Sequence, residues 1–299
     1  MSAVLEELLT LLRLSPQPPA RGEHVFYGAS QDPGWGRIFG GQVLGQALSA
    51  ASQTVPEGRF IHSLHGYFLR PGAIDTTLVF RVDPIRDGRS FTTRRVVAEQ
   101  NGEAIFSLSA SFQVPEGGFD HQHETMPEVP PPDELDSERE LAANYLARLP
   151  EAVLARIPRA LRERAVAERP IEIRLTSPID PIAPAKRAPR NQLWFKAAGP
   201  LPDDAAIHQY LLAYASDYYL LGASMLPHGV TWMTPGMQVA SIDHAMHFHR
   251  PFRFDDWLLY DIDAPTAVGG RGLARGRWFD QRGVLVASTL QEGLVRDRR

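Results

Sequence analysis

The chain has 299 residues, no cysteine and a formal net charge of −4, with a composition ordinary for a globular protein. Disulfides, thiolate zinc sites and a cysteine nucleophile are therefore excluded, and no basic footprint argues for a nucleic-acid partner. The length suits two domains or one large one. At the N-terminus, Leu5, Leu8, Leu9 and Leu12 form a helical stripe with Glu6 and Glu7 on the polar side. That is not a signal peptide with a basic start. No apolar run reaches membrane-spanning length, so no membrane insertion is expected. The C-terminal VRDRR is not a peroxisomal SKL-type address. With the absence of cysteine, these features make the cytoplasm the expected location.

After the first helix, His24–Tyr27 reads as a short strand. Phe39-Gly40-Gly41-Gln42 then leads into VLGQALSAAS, a helix rich in small residues around which a sheet can close tightly. Strand-like runs follow over 60–70, 75–85, 91–100 and 103–114, with Asp87-Gly88 and Asn101-Gly102 marking hairpin turns. One helix followed by an antiparallel meander is an α+β pattern. Residues 115–189 differ. Pro130-Pro131-Pro132 is stiff, 137–169 is charged and helix-prone but broken at Pro150 and Pro158, and 171–175 alternates like a strand. A proline-dense connection follows. From 190 onward the first pattern returns. A strand over 192–196 precedes HQYLLAYASDYYLL, His208 to Leu221, which is apolar on nearly every side and suits a helix buried all round. Asp203 or Asp204 can cap it and Gly222 can end it. Strands over 237–249, 257–263, 273–279 and 284–291 complete the chain, with Gly269-Gly270 and Arg282-Gly283 as turns.

The two halves also match residue by residue. Gln42-Val43-Leu44 lies over Gln209-Tyr210-Leu211, Ser49 over Ser216, Phe68-Leu69-Arg70-Pro71 over Phe248-His249-Arg250-Pro251, and Arg95 over Arg275. A duplicated unit of one long helix along a curled antiparallel sheet is a double hotdog. The expected units are 1–114, with a degenerate site, and 190–299, with the working one, joined by a linker over 115–189. Pairing the halves edge to edge would remove two exposed edges. The halves differ at chemistry-bearing positions: Asp217 lies over Ala50, Ser241 over Ile61, and Gln291 over Ser111 within one residue. A buried carboxylate costs several kcal/mol unless partnered, and a purely structural one would be expected in both copies.

At these residues the sequence closely resembles the acyl-CoA thioesterase II family. The matching segments are FGGQVLGQAL, HSLHGYFLRPG, RDGRSFTTRRV, YLLAYASDYYLL, SIDHAMHFHRPF and VLVASTLQEG, which span nearly the whole chain and leave the linker as the variable part. The resemblance implies a double hotdog that hydrolyses fatty acyl-CoA of medium to long chain to free acid and CoA. It implies no cofactor and a homo-oligomer, dimer or tetramer. The family's catalytic Asp falls on Asp217, its Gln on Gln291 and its hydroxyl residue on Ser241, where many members carry Thr.

The residues themselves point the same way. Without Cys or a GxSxG elbow, water activated by a carboxylate is what remains for thioester hydrolysis. Asp217 would take the proton or orient the water, with Ser241 and Gln291 fixing that water. Attack by Asp217 itself through an anhydride stays open. Gly40 and Gly41 could offer N–H groups to an oxyanion, or simply allow close packing. Taken alone, Ser241 and Gln291 read as ordinary strand residues. His244, His247 and His249 form HxxHxH, but only the last two share a strand face and no carboxylate completes a site, so no metal is expected. His62 and His65 read as core or rim histidines that could support the acyl pocket, and His65 and His244 are candidates for substrate binding. Arg86 and Arg89, with Arg94 and Arg95, could meet CoA phosphates or form a solvated strand edge. Two other readings compete. An enoyl-CoA hydratase or dehydratase would pair His244 with the carboxylate, and a non-catalytic acyl-CoA binder would gain nothing from Asp217.

Overall fold

The computed structural model describes residues 2–17, 24–32, 34, 36–181 and 183–299. The N-terminal half contains α1 (Ala3–Leu12), β1 (Ser15–Pro16), β2 (His24–Gly28), α2 (Gly40–Ser52), β3 (Phe60–Phe68), β4 (Leu78–Asp87), β5 (Phe91–Gln100) and β6 (Glu103–Gln113). The middle carries α3 (Glu138–Arg148), α4 (Glu151–Leu154), α5 (Arg159–Ala165) and β7 (Ile171–Leu175). The C-terminal half follows with β8 (Arg190–Ala197), α6 (Ala205–Ala215), β9 (Met237–Ser241), β10 (Asp243–Phe248), β11 (Leu258–Val268), β12 (Arg271–Asp280) and β13 (Leu285–Asp297).

The strands form one antiparallel sheet in the order β1-β2-β4-β5-β6-β3-β10-β13-β12-β11-β8-β7, with β9 also paired to β13. The order is the same on either side of the β3–β10 junction, where Ala245 pairs with His65. This is the double hotdog, with its halves joined into one continuous sheet. Turn chemistry sets the hairpin registers. Asn101 and Gly102 both have positive φ (52° and 80°), as a tight two-residue hairpin turn requires. β7 lies inside the expected linker but extends the C-terminal sheet through β8.

Both central helices lie inside the curl of the sheet. Every residue of α2 from Gly41 to Ala51 is buried, and Ile207 to Ala215 of α6 nearly so. The small residues of α2 serve the other helix as well as the sheet. A Cβ on Gly41 would overlap the Tyr214 carbonyl oxygen of α6, and one on Gly45 would lie 3.2 Å from that of Tyr210. The leucine stripe of α1 is buried against this core. The middle segment is asymmetric. Its extended part crosses the C-terminal half only, packing Met126, Val129 and Leu135 on Trp194, Trp257, Leu259 and Phe279, and the Trp194 indole donates to the Pro130 carbonyl at 3.0 Å. Ser137 then caps α3 through a capping box, and Pro150 and Pro158 start the next two helices.

Candidate active site

Asp204 caps α6 by accepting from the Ala206 N–H. The helix ends earlier than the apolar pattern implies, at Ala215, and Gly222 lies inside a later 3-10 segment, Leu221–His228. Two hydrogen bonds and a left-handed residue stop it. The Ser216 hydroxyl donates to the Ala213 carbonyl at 2.8 Å, the Tyr260 hydroxyl to the Ser216 carbonyl at 2.9 Å, and Tyr219 turns the chain with φ 63°. The orphan carbonyls of a helix end are thus satisfied by side chains while the backbone leaves the helical path. Asp217 sits in this turn, half-buried, rather than within a buried helix. A second anchor comes from the middle segment: the Tyr219 hydroxyl donates to Glu138 Oε1 at 2.7 Å.

The Asp217 carboxylate is gripped from two sides. Gln291 Nε2 donates to Oδ1 at 2.7 Å and Ser241 Oγ approaches the same oxygen at 3.4 Å. The Gly41 N–H, in the first turn of α2, donates to Oδ2 at 3.0 Å. An anion just past the C-terminus of α6 faces the negative end of that dipole, an effect of about 0.3–1 kcal/mol. A charge-assisted hydrogen bond contributes about 1.5–3 kcal/mol, so the α2 start and Gln291 outweigh it. Gly40 makes room: a Cβ there would lie 2.7 Å from Asp217 Oδ2 and 3.1 Å from the Phe68 ring. Phe39, Tyr214 and Tyr218 form an aromatic cluster on the same side, with centroids 4.4 Å apart for Phe39 and Tyr218.

The expected strand over 237–249 is broken at Ile242. Ser241 pairs with Gly293 and Ala245 with Leu290, a one-residue shift that marks a bulge. Ser241 and His244 are an odd number of positions apart and would face opposite sides of a regular strand. The bulge re-aims them, so that both reach Gln291 Nε2, each at 3.2 Å. His244 Nε2 lies 2.9 Å from Ser216 Oγ. His244 and Gln291 are both 0% exposed, and burial pushes the His244 ring below its ordinary pKa, against the pull of Asp217 and Asp243. Among the described residues, no donor reaches the buried Gln291 Oε1.

The other candidates lie elsewhere. His65 is exposed on the outer face of the sheet and bonds Asp243 Oδ2 at 3.0 Å, while Asp243 Oδ1 accepts from the Glu292 N–H and braces the bulge from outside. Arg86 and Arg89 belong to the β4–β5 hairpin at the far end of α2, about 20 Å along that helix from Gly41. Arg94 there is buried and holds the end of α2, donating to the Thr54 carbonyl at 2.8 Å and to Asp87 at 2.7 Å. Arg95 pairs with Asp83 on the strand face. His247 is exposed, and His249 bonds Ser288 at 2.9 Å. Sequence reasoning missed Ser216 and Tyr260 as supports of the Asp217 turn. The repeat carried a signal for one of them, since Asp263 pairs Arg275 as Asp83 pairs Arg95, which sets Tyr260 over Phe80.

A duplicated helix-and-sheet unit joined into one continuous antiparallel sheet defines a double-hotdog protein. A hot dog fold protein from Alicyclobacillus acidocaldarius superposes at a TM-score of 0.73 with 20% identity over 97% of this chain and 98% of that one. Residues 31–113 match the acyl-CoA thioesterase N-terminal domain and residues 160–294 the acyl-CoA thioesterase family. The chain is 42% identical to acyl-CoA thioesterase 2 of Haemophilus influenzae over 99% of both proteins. It is 40% identical to human acyl-coenzyme A thioesterase 8 over 96% of this chain and 88% of that one. The crystal structure of acyl-CoA thioesterase II TesB2 from Mycobacterium marinum aligns at a TM-score of 0.74 with 40% identity, over 98% of each chain. The chain therefore belongs to the acyl-CoA thioesterase family and is a thioester hydrolase.

Proposed function

We propose that the enzyme hydrolyses fatty acyl-CoA of medium to long chain, with Asp217 activating the attacking water. The observation that carries this reading is the grip on Asp217 by Gln291 at 2.7 Å, Gly41 at 3.0 Å and Ser241 at 3.4 Å. All three are donors, and donors aimed at both oxygens fix the carboxylate in one orientation. Water would donate to Asp217 and to the buried Gln291 Oε1, with Ser241 alongside. Its oxygen attacks the thioester carbon, the proton passes to Asp217, and the C–S bond breaks to release CoA thiol and acid. Gly41 spends its N–H on Asp217, so we assign the thioester oxygen to the Gly40 N–H. The aromatic cluster of Phe39, Tyr214 and Tyr218 supports an apolar acyl group beside the carboxylate. His244 is buried with both ring nitrogens engaged, which disfavours the proton delivery to carbon that a hydratase needs.

Thiol release measured across acyl lengths tests the substrate. Highest kcat/KM on chains shorter than medium length would overturn the length assignment. Single turnover in ¹⁸O-water tests the chemistry. Direct attack places the label in the released acid, whereas an anhydride opened at the enzyme carboxylate places it in Asp217 and would refute the base assignment. We further place the enzyme in the cytoplasm as a homo-oligomer of two or four chains. Cell fractionation and sedimentation equilibrium check both, and a monomer at micromolar concentration would count against the latter.

A further inference from the structure

We propose that His244 is a positioning residue of the hydrolase: wired through Ser216 to the end of α6, it holds the Gln291 amide with its N–H toward Asp217 and its carbonyl oxygen toward the attacking water. This rests on the water-activation reading above.

The wiring has one consistent direction. Turning the Gln291 amide over would set its oxygen against Asp217 Oδ1 at 2.7 Å, two acceptors in contact. Nε2 therefore faces the carboxylate, and it can only donate to His244 Nδ1, at 3.2 Å. In a neutral imidazole the other nitrogen then carries the hydrogen. His244 Nε2–H donates to Ser216 Oγ at 2.9 Å, and the Ser216 hydroxyl donates onward to the Ala213 carbonyl at 2.8 Å. The chain of donors runs from Gln291 to a helix-end carbonyl with each hydrogen used. Burial lowers the pKa of the ring and so favours the neutral form that this arrangement uses. A protonated ring would turn Nδ1 into a donor facing another donor.

The repeat supplies independent support. Ala245 lies over His65; the β13 partner of Ala245 is Leu290 and the β6 partner of His65 is Ser109. Gln291 therefore lies over Ala110, and His244 over Leu64. Leu64 and Ala110 are paired and buried, and the same bulge occurs beside them, between Ile61 and Ser63. The fold is thus content with leucine at this place. A histidine occurs where a glutamine needs holding.

Three substitutions test the idea by thiol release and thermal melting. His244→Leu installs the residue the other half uses and removes both hydrogen bonds. His244→Asn keeps an acceptor near the place of Nδ1. Ser216→Ala cuts the far end of the relay and leaves the ring. His244→Leu should lower kcat by about tenfold or more, the scale of a misplaced catalytic group, with KM within about twofold. His244→Asn should recover most of the loss. In a Gln291→Ala background His244→Leu should cost less than about twofold further, because the amide it positions is gone. The proposal is overturned if His244→Leu keeps more than about half of kcat, or if it loses its full factor again without Gln291. Should His244→Leu fail to fold, Ser216→Ala decides when measured with and without Gln291: a kcat loss that disappears in the Gln291→Ala background supports the relay, and wild-type kcat, or the same full loss in both backgrounds, refutes it. Activity surviving in Asp217→Asn would instead remove the underlying water-activation reading, which the His244 pair with Gln291 leaves untouched.

Discussion

The two halves share a backbone almost element for element, down to a bulge in the first strand of each pairing edge. They differ in a connected set of side chains. Asp217, Ser241, His244, Gln291 and Tyr260 stand in one half where Ala50, Ile61, Leu64, Ala110 and Phe80 stand in the other, all buried there. One backbone difference accompanies them. α2 stays helical through Ala50 to Ser52, while α6 stops at Ala215 and unwinds around Asp217. The same scaffold thus occurs twice, with a layer of apolar side chains in one half and a hydrogen-bonded set around Asp217 in the other, where we propose the site lies. Among the described residues, the N-terminal half reaches the Asp217 carboxylate through the Gly41 N–H at the start of α2.

The sharpest way to break this comparison is to remove the one carboxylate. Asp217→Asn is nearly isosteric and should keep the fold, with a melting temperature close to wild type. Its kcat should fall by about 10²–10⁴-fold, the usual contribution of a general base. The apolar copy has nothing to compensate with. A variant that keeps more than half its activity would mean that the halves do not differ in function as their side chains imply.

Much of this was legible in the sequence. The repeat, the hairpin turns and the order of strands follow from periodicity and from turn residues such as Asn101-Gly102, which act locally. Asp217, Ser241 and Gln291 stood out because one half carried them and the other did not. The sequence pattern hid what depends on distant partners. The apolar run through Leu221 reads as unbroken helix, since nothing local announces that Tyr219 will adopt a left-handed conformation or that Tyr260 will take the Ser216 carbonyl. The bulge at Ile242 leaves no mark in a period-two pattern that continues on both sides. Gly41 looked like a packing glycine or an oxyanion donor, and its bond to Asp217 spans a separation of 176 residues.

The contribution of the N-terminal half can be tested at that contact. Gly41→Ala pushes a methyl group into the Tyr214 carbonyl, where helix and helix touch. Overpacking of this kind costs about 1–3 kcal/mol, and α2 must shift to relieve it. Both the melting temperature and kcat should drop together. A melting temperature unchanged from wild type would show that the two helices are not locked at Gly41.

Tyr260→Phe makes the C-terminal half resemble the other at a position outside the reacting groups. It strips the donor from the Ser216 carbonyl, a loss of about 1–3 kcal/mol for a buried acceptor. The Asp217 turn should loosen, lowering kcat severalfold while KM changes little. Full activity with full stability would show that the turn needs no such support. Acidity bears on both halves, through His62, whose pKa burial lowers, in the N-terminal one, and through two more deeply buried rings in the other. His208 and His244, both buried in the C-terminal half, have pKa values lowered by burial. Below the ordinary histidine value of about 6.5, the unfolded chain binds protons these rings refuse, so stability is full above that pH and is lost as pH falls. Urea midpoints at pH 7.5 and 5.5 should show the drop, and His244→Leu should reduce it.

The smallest effect is expected where the C-terminal copy departs from the hydroxyl residue that the sequence resemblance implies. Ser241→Thr keeps the oxygen that faces Asp217 at 3.4 Å and Gln291 at 3.2 Å, and adds one methyl. Ser241 is half-buried at the end of β9, next to the bulge, so the strand is less confined there than in its middle. A β-branched residue also suits an extended backbone. We therefore expect kcat within about threefold of wild type and a melting temperature lowered by no more than overpacking of about 1 kcal/mol implies. Ser241→Ala, which loses the oxygen, should fall further in kcat without a matching rise in KM. If alanine is no more impaired than threonine, the hydroxyl has no part in what separates the two halves.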